Sequence, residues 1–82
     1  MARLGVIGIV VENRGEVMTV QRVLSEFSDV IEGRMGIPDK ENSVAVISLI
    51  VKGNVERLSA LTGKLGRIDG IAVKSALTNV EV

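Results

Sequence analysis

The chain has 82 residues, ten basic and ten acidic side chains, and neither histidine nor cysteine. That length holds one hydrophobic core and buries only about 60–65% of its unfolded surface, and without cysteine neither disulfides nor thiolate metal sites can reinforce it. The charges are interleaved along the chain rather than clustered, which argues against the basic footprint of direct nucleic-acid binding.

Leu4 to Val11 is rich in β-branched residues and apolar at both parities, the pattern of a strand covered on both faces, and it is expected to end at Glu12. Met1-Ala2-Arg3-Leu4 leads straight into it, with no charged segment followed by an apolar one. The expectation is therefore a cytoplasmic protein. Asn13 then has the marks of a helix N-cap, with Glu16 placed to reach back in a capping box. Gly15 lends the turn freedom in φ. Val17, Val20, Leu24 and Phe27 recur at helical spacing and predict a helix to about Phe27, with Gln21, Arg22, Ser25 and Glu26 on its polar side.

Asp29 to Ile37 predicts a second strand, with Ile31, Gly33, Met35 and Ile37 on one face and Val30, Glu32 and Arg34 on the other. Gly36, Pro38, Asp39, Lys40 and Asn42 carry the turn signals of a hairpin with a longer loop. Ser43 to Lys52 is the strongest strand: Ala45, Ile47, Leu49 and Val51 line one face, and Val44, Val46 and Ile50 the other, interrupted only by Ser48. Its apolar run falls far short of the ~20 residues that a membrane helix needs. Two helices can cover one face of a sheet only, so another copy of the chain is expected on the other. Asn54 caps a second helix with Val55, Leu58, Leu61, Thr62 and Leu65 inside, and Gly66 is placed to end it. After Asp69-Gly70, Ile71, Val73, Ser75 and Leu77 alternate with Ala72, Lys74, Ala76 and Thr78 as a final, half-exposed strand.

The order strand, helix, strand, strand, helix, strand predicts an α+β, ferredoxin-like βαββαβ two-layer sandwich. Residues 1–82 would form a single domain, a four-stranded antiparallel sheet with two helices on one face.

Catalysis is not expected. The usual general base and strong nucleophile are missing, and Glu12, Glu16, Glu26, Glu32, Glu41 and Glu56 fall mostly on predicted polar faces. Gly63-Lys64-Leu65-Gly66 lies late in a helix and lacks the Ser or Thr that a phosphate loop carries after its lysine. Asp39, Glu41 and Asn42 read as a turn, so neither metal nor cofactor is expected. The segment that stands out is Asn13-Arg14-Gly15-Glu16-Val17. It joins the first strand to the first helix, where backbone N–H groups and the helix dipole favour a small carboxylate-bearing ligand.

These residues resemble a known family. Val10-Val11-Glu12 followed by Asn13-Arg14-Gly15-Glu16-Val17 is similar to the first strand and loop of ACT domains, βαββαβ regulatory modules whose arginine–proline–glycine loop often helps hold an amino-acid effector at a dimer interface. Here Gly15 follows Arg14 without the proline. Over nearly the whole chain the sequence resembles a family of small stand-alone proteins described as regulators of the iron-only (FeFe) hydrogenase system. The most specific segments are Gly33-Arg34-Met35-Gly36-Ile37-Pro38, Val46-Ile47-Ser48-Leu49-Ile50-Val51, and Leu61 to Ile68 followed by Val73-Lys74-Ser75-Ala76. The fold also resembles the metal-sensing domain of nickel-responsive repressors, whose sites use the His and Cys absent here.

The resemblance implies a regulatory, non-enzymatic, ACT-like homo-oligomer, dimer or tetramer. It would sense a small effector such as an amino acid, or a hydrogenase-related protein partner. Asn13, Arg14, Gly15, Glu16 and Val17 are the favoured effector contacts, completed across an interface by Arg34, Met35 and Gly36. An interaction protein without a small ligand is the alternative, and direct DNA binding is a distant third.

Overall fold

A computed structural model describes residues 1–82. Its elements are β1 (Arg3–Val11), a 3₁₀ turn (Arg14–Glu16), α1 (Val17–Glu26), a second 3₁₀ turn (Ser28–Val30), β2 (Ile31–Asp39), β3 (Val44–Gly53), α2 (Val55–Gly66) and β4 (Ile71–Glu81). All strand pairs are antiparallel and the order is β2-β3-β1-β4. This is the expected ferredoxin-like α+β architecture.

The sheet separates its apolar residues by parity, as the pleat requires. Ile7, Ile9 and Val11 of β1 and Ile47, Leu49 and Val51 of β3 point to the helices and are buried. Val20, Val23 and Leu24 of α1 meet them with Leu58, Leu61 and Leu65 of α2, and Phe27 and Val30 close the end of the layer. No polar side chain is buried. Val17 is only half-buried and Val55 is exposed, because both lie in the first turn of their helices, at the rim of the core.

Strand β2 departs from simple alternation. Ser28–Val30 winds into a 3₁₀ turn before the strand begins, which delivers Val30 to the core. There it packs on Gly53, where an added Cβ would lie 2.7 Å from Val30 Cγ1. Ile31 pairs with Val51 and Gly33 pairs with Ile50, so Glu32 is an extra residue between them. That bulge changes which face the chain presents. Ile31 packs against the core, whereas Met35 and Ile37 face outwards. The expected sharing of one face by all three does not occur, since strict alternation cannot register an inserted residue.

Helix α2 is capped by Asn54, whose Oδ1 accepts from the Arg57 N–H at 2.7 Å. It ends at Gly66 in right-handed geometry, and the left-handed turn follows at Gly70. Arg57 then links the two helices. Its guanidinium lies 4.1 Å from the centre of the Phe27 ring, donates to both Asp29 carboxylate oxygens at 2.8 and 3.2 Å, and donates to the Glu26 carbonyl at 2.9 Å.

The hydrogen bonds from Arg57, reinforced by its charge, hold the Asp29 carboxyl below its usual value of 3.8. A depressed folded-state value stabilises the fold above the unfolded pKa, and that contribution is lost as pH falls through the folded one. Thermal stability should therefore decline from about pH 4 downwards, and Asp29→Asn should flatten part of that decline. Asp39, lowered by its bonds from Asn42, supplies a separate share. Equal acid-side losses of melting temperature in parent and Asp29→Asn would refute the assignment.

Candidate functional site

The β1–α1 connection is built around Asn13. Its Oδ1 accepts from the Gly15 N–H at 3.0 Å, and its carbonyl accepts from the Glu16 N–H at 2.9 Å. The Val17 N–H donates to the Arg14 carbonyl. Three N–H groups that could receive an anion are thus used inside the turn. Glu16 makes no reciprocal capping bond. The 3₁₀ turn inserted between Asn13 and α1 makes Glu16 the residue that precedes the helix, not one in its first turn.

Of the two glycines at this connection the left-handed one is Gly70, with φ +76°, and not Gly15. The Gly70 carbonyl accepts from the Glu12 and Asn13 N–H groups at 2.8 and 3.3 Å. A Cβ at Gly70 would lie 2.6 Å from Asn13 Cβ. The tight approach of the α2–β4 turn therefore positions the connection, a role the local sequence of Asn13–Val17 could not disclose. Arg14 and Glu16 take part in no ion pair, since the two pairs present join Arg57 to Asp29 and Lys64 to Glu26.

Arg34, Met35 and Gly36 lie elsewhere. The register runs Arg34–Leu49–Ile7 and Gly36–Ile47–Ile9, while Asn13 follows Val11 at the end of β1. The two segments are two strands apart and displaced along the sheet, so one copy does not bring them together. Met35 sits on the outward face, and Arg34 and Gly36 pair with inward-facing residues.

The outward face is the larger feature. Val6, Gly8 and Val10 of β1 lie beside Ile50, Ser48 and Val46 of β3 and beside Ala76, Lys74 and Ala72 of β4. The bulge adds Gly33, Met35 and Ile37. Val6, Met35, Ile37, Val46 and Ile50 form one apolar surface, with exposures from 43% at Val6 to 65% at Met35. Gly33, Ser48 and Gly8 lower its middle, and a shallow hollow of about 310 Å³ lies among Gly33, Arg34, Met35, Ser48 and Ile50. Two-sidedness was visible in β3, but the extension onto β2 depends on the bulge.

No three His, Cys, Asp or Glu side chains are grouped to hold a metal ion. No helix is long and apolar enough to cross a membrane.

The model of the TM1266-like iron-only hydrogenase system regulator family matches residues 3–75. The structure of TM1266 from Thermotoga maritima superposes with a TM-score of 0.91 at 34% identity, covering 96% of this chain and 100% of that one. The ACT domain of GTP pyrophosphokinase from Chlorobium tepidum gives 0.76 at 23% identity, covering 93% and 100%. The C-terminal domain of MgtC from Mycobacterium tuberculosis gives 0.72 at 12% identity, covering 93% and 87%. The last two likenesses concern the fold alone. No curated protein matches the chain.

Gly70→Ala should destabilise the fold by about 1–2 kcal/mol through its left-handed backbone. It should also move the amide resonances of Asn13 to Val17, because its Cβ meets Asn13. Unchanged denaturation and unchanged loop resonances would contradict the role given to Gly70.

Proposed function

The chain belongs to the TM1266-like iron-only hydrogenase system regulator family, and from that premise we propose that it is a non-enzymatic, homo-oligomeric regulatory module of the cytoplasm that senses a small effector. The family name assigns a regulatory role and leaves the mechanism open.

The observation that carries this reading is the uncovered apolar sheet face. A surface of this kind, continuous over several strands, marks an interaction site. A second copy is the natural occupant because the middle of the face is apolar, with Lys52 and Lys74 toward its margins, and an 82-residue chain gains most from association. Strand spacing makes the face about 19 Å wide, and β1 makes it about 30 Å long. Two stacked copies then cover on the order of 1,100 Å² by projection, close to the ~1,000 Å² that a specific interface needs.

In this reading, Asn13, Arg14, Gly15, Glu16 and Val17 of one copy contact the effector, and Arg34, Met35 and Gly36 of another complete the site in a dimer or tetramer. Separation of these segments within one copy supports an intersubunit arrangement. The effector regulates by binding one subunit arrangement more tightly than another. A hydrogenase-related protein is the partner that would receive the signal.

One observation favours a second reading, an interaction module without a small ligand. The turn that should receive the effector already satisfies the N–H groups of Gly15, Glu16 and Val17 within itself. Partner capture that survives substitution of the loop would select that reading.

Native mass spectrometry of gently purified protein tests the proposal, with an oligomer carrying an additional small mass as the expected result. Ile50→Glu places a charge in the centre of the covered face and should yield folded monomers in sedimentation; an unchanged oligomer would remove the face from the interface. Gly15→Val sets side-chain atoms against Asn13 Oδ1, which lies 3.2 Å from a Cβ at this position. It should abolish effector retention in a folded protein, and retention at the parent level would sink the loop assignment.

A further inference from the structure

The Glu32 bulge turns Arg34 toward the helix layer, where it meets the end of α1. Arg34, Ser25, Ser28, Leu24 and Ile31 line an open hollow of about 190 Å³. Its two sides differ in character. Leu24 is buried and Ile31 half-buried, whereas Ser25, Ser28 and Arg34 are exposed.

The polar side has free capacity. The hydroxyls that donate within the chain are those of Thr62 and Thr78, and Ser25 and Ser28 are not among them. Arg34 belongs to neither ion pair of the chain. Of the nearby carboxylates, Glu26 is paired with Lys64 and Asp29 with Arg57, and Glu32, on the bulge, makes no ion pair with Arg34. The carbonyls that end α1 are also occupied. Those of Val23 and Leu24 share the Phe27 N–H, that of Glu26 accepts from Arg57, and that of Ser28 accepts from the Ile31 N–H. Within the lining of the hollow the guanidinium is the one charged group, and no carboxylate pairs with it.

We infer that this hollow is a binding site for a small aliphatic carboxylate. The Arg34 fork takes the two carboxylate oxygens, the geometry it matches best. Ser25 and Ser28 add hydroxyl donors, and Leu24 and Ile31 cover the aliphatic body. Bare phosphate would leave that apolar half unused. The inference deepens the effector reading by naming the ligand class and by giving Arg34 its companions within one copy. It rests on that reading only for its regulatory meaning.

The test is an amide-resolved NMR titration of the full chain with isobutyrate, its neutral isostere isobutyramide, and inorganic phosphate. Isobutyrate should shift the amides of Ser25, Ser28 and Arg34. Isobutyramide should bind about tenfold more weakly or worse, and Arg34→Gln should weaken isobutyrate by a similar factor in a spectrum that otherwise stays native. Arg34→Lys should recover only part of the affinity. Isobutyrate shifts confined to Asn13–Val17 would overturn this site while sparing the effector reading. Phosphate binding as tight as isobutyrate would overturn the carboxylate class, and full affinity in Arg34→Gln or no shift with isobutyrate would overturn the site. A response at the hollow in protein whose Gly15→Val variant behaves as the parent would keep this site and remove the loop.

Discussion

A sheet has two faces, and this chain has helices for one. Every strand of the interior is apolar toward α1 and α2, and β1 and β3 are apolar on the far side as well. The helix-facing half is satisfied within the chain by fourteen packed hydrophobic residues. The other half is left in water at the expense of the hydrophobic effect. Each structural feature with a bearing on function follows from that imbalance: the face that needs covering, the strand that extends it, and the edge where two segments from different copies can meet.

Much of this was legible in the sequence. Both helices and all four strands followed from periodicity and caps, with boundaries displaced by up to three residues. Asn54 caps α2 as expected, whereas Asn13 caps the 3₁₀ turn that precedes α1, because an Asx side chain ahead of a helical run has few better options. What escaped was decided by contacts distant in sequence. The left-handed turn falls at Gly70 and not Gly15 because the α2–β4 connection presses on Asn13. Val23 joins the core beside Val20 and Leu24, while Val55, in the first turn of α2, lies at its rim. The facing of β2 was missed for a simpler reason: one inserted residue exchanges the faces of everything after it.

The β1–α1 connection is more constrained than its sequence implies. Glycine and two charged residues suggest a loop waiting for a ligand, yet the backbone bonds of the connection are closed on itself and onto Gly70. Such closure gives rigidity, and a rigid connection can only meet an effector with the groups left over, chiefly the side chains of Arg14 and Glu16. The candidate loop is thus better suited to positioning a contact between copies than to wrapping an anion. That distinction separates this chain from a fold-level analogy, since a shared fold carries no site with it.

The bulge at Glu32 joins the two halves of the structure. Without it, and with Ile31 held in the core, Met35 and Ile37 would lie under the helices and Arg34 would face outwards into the apolar surface. With it, the open face gains two large apolar side chains, while Arg34 pairs with the inward-facing Leu49 and lines the hollow at the α1–β2 junction. An unpaired charge on a face that is to be covered would oppose association through its desolvation. Giving Arg34 the inward parity at the sheet edge eases that penalty and supplies the polar side of the α1–β2 hollow in the same step. One extra residue in an edge strand therefore decides both what can stack on this protein and where it can hold a carboxylate.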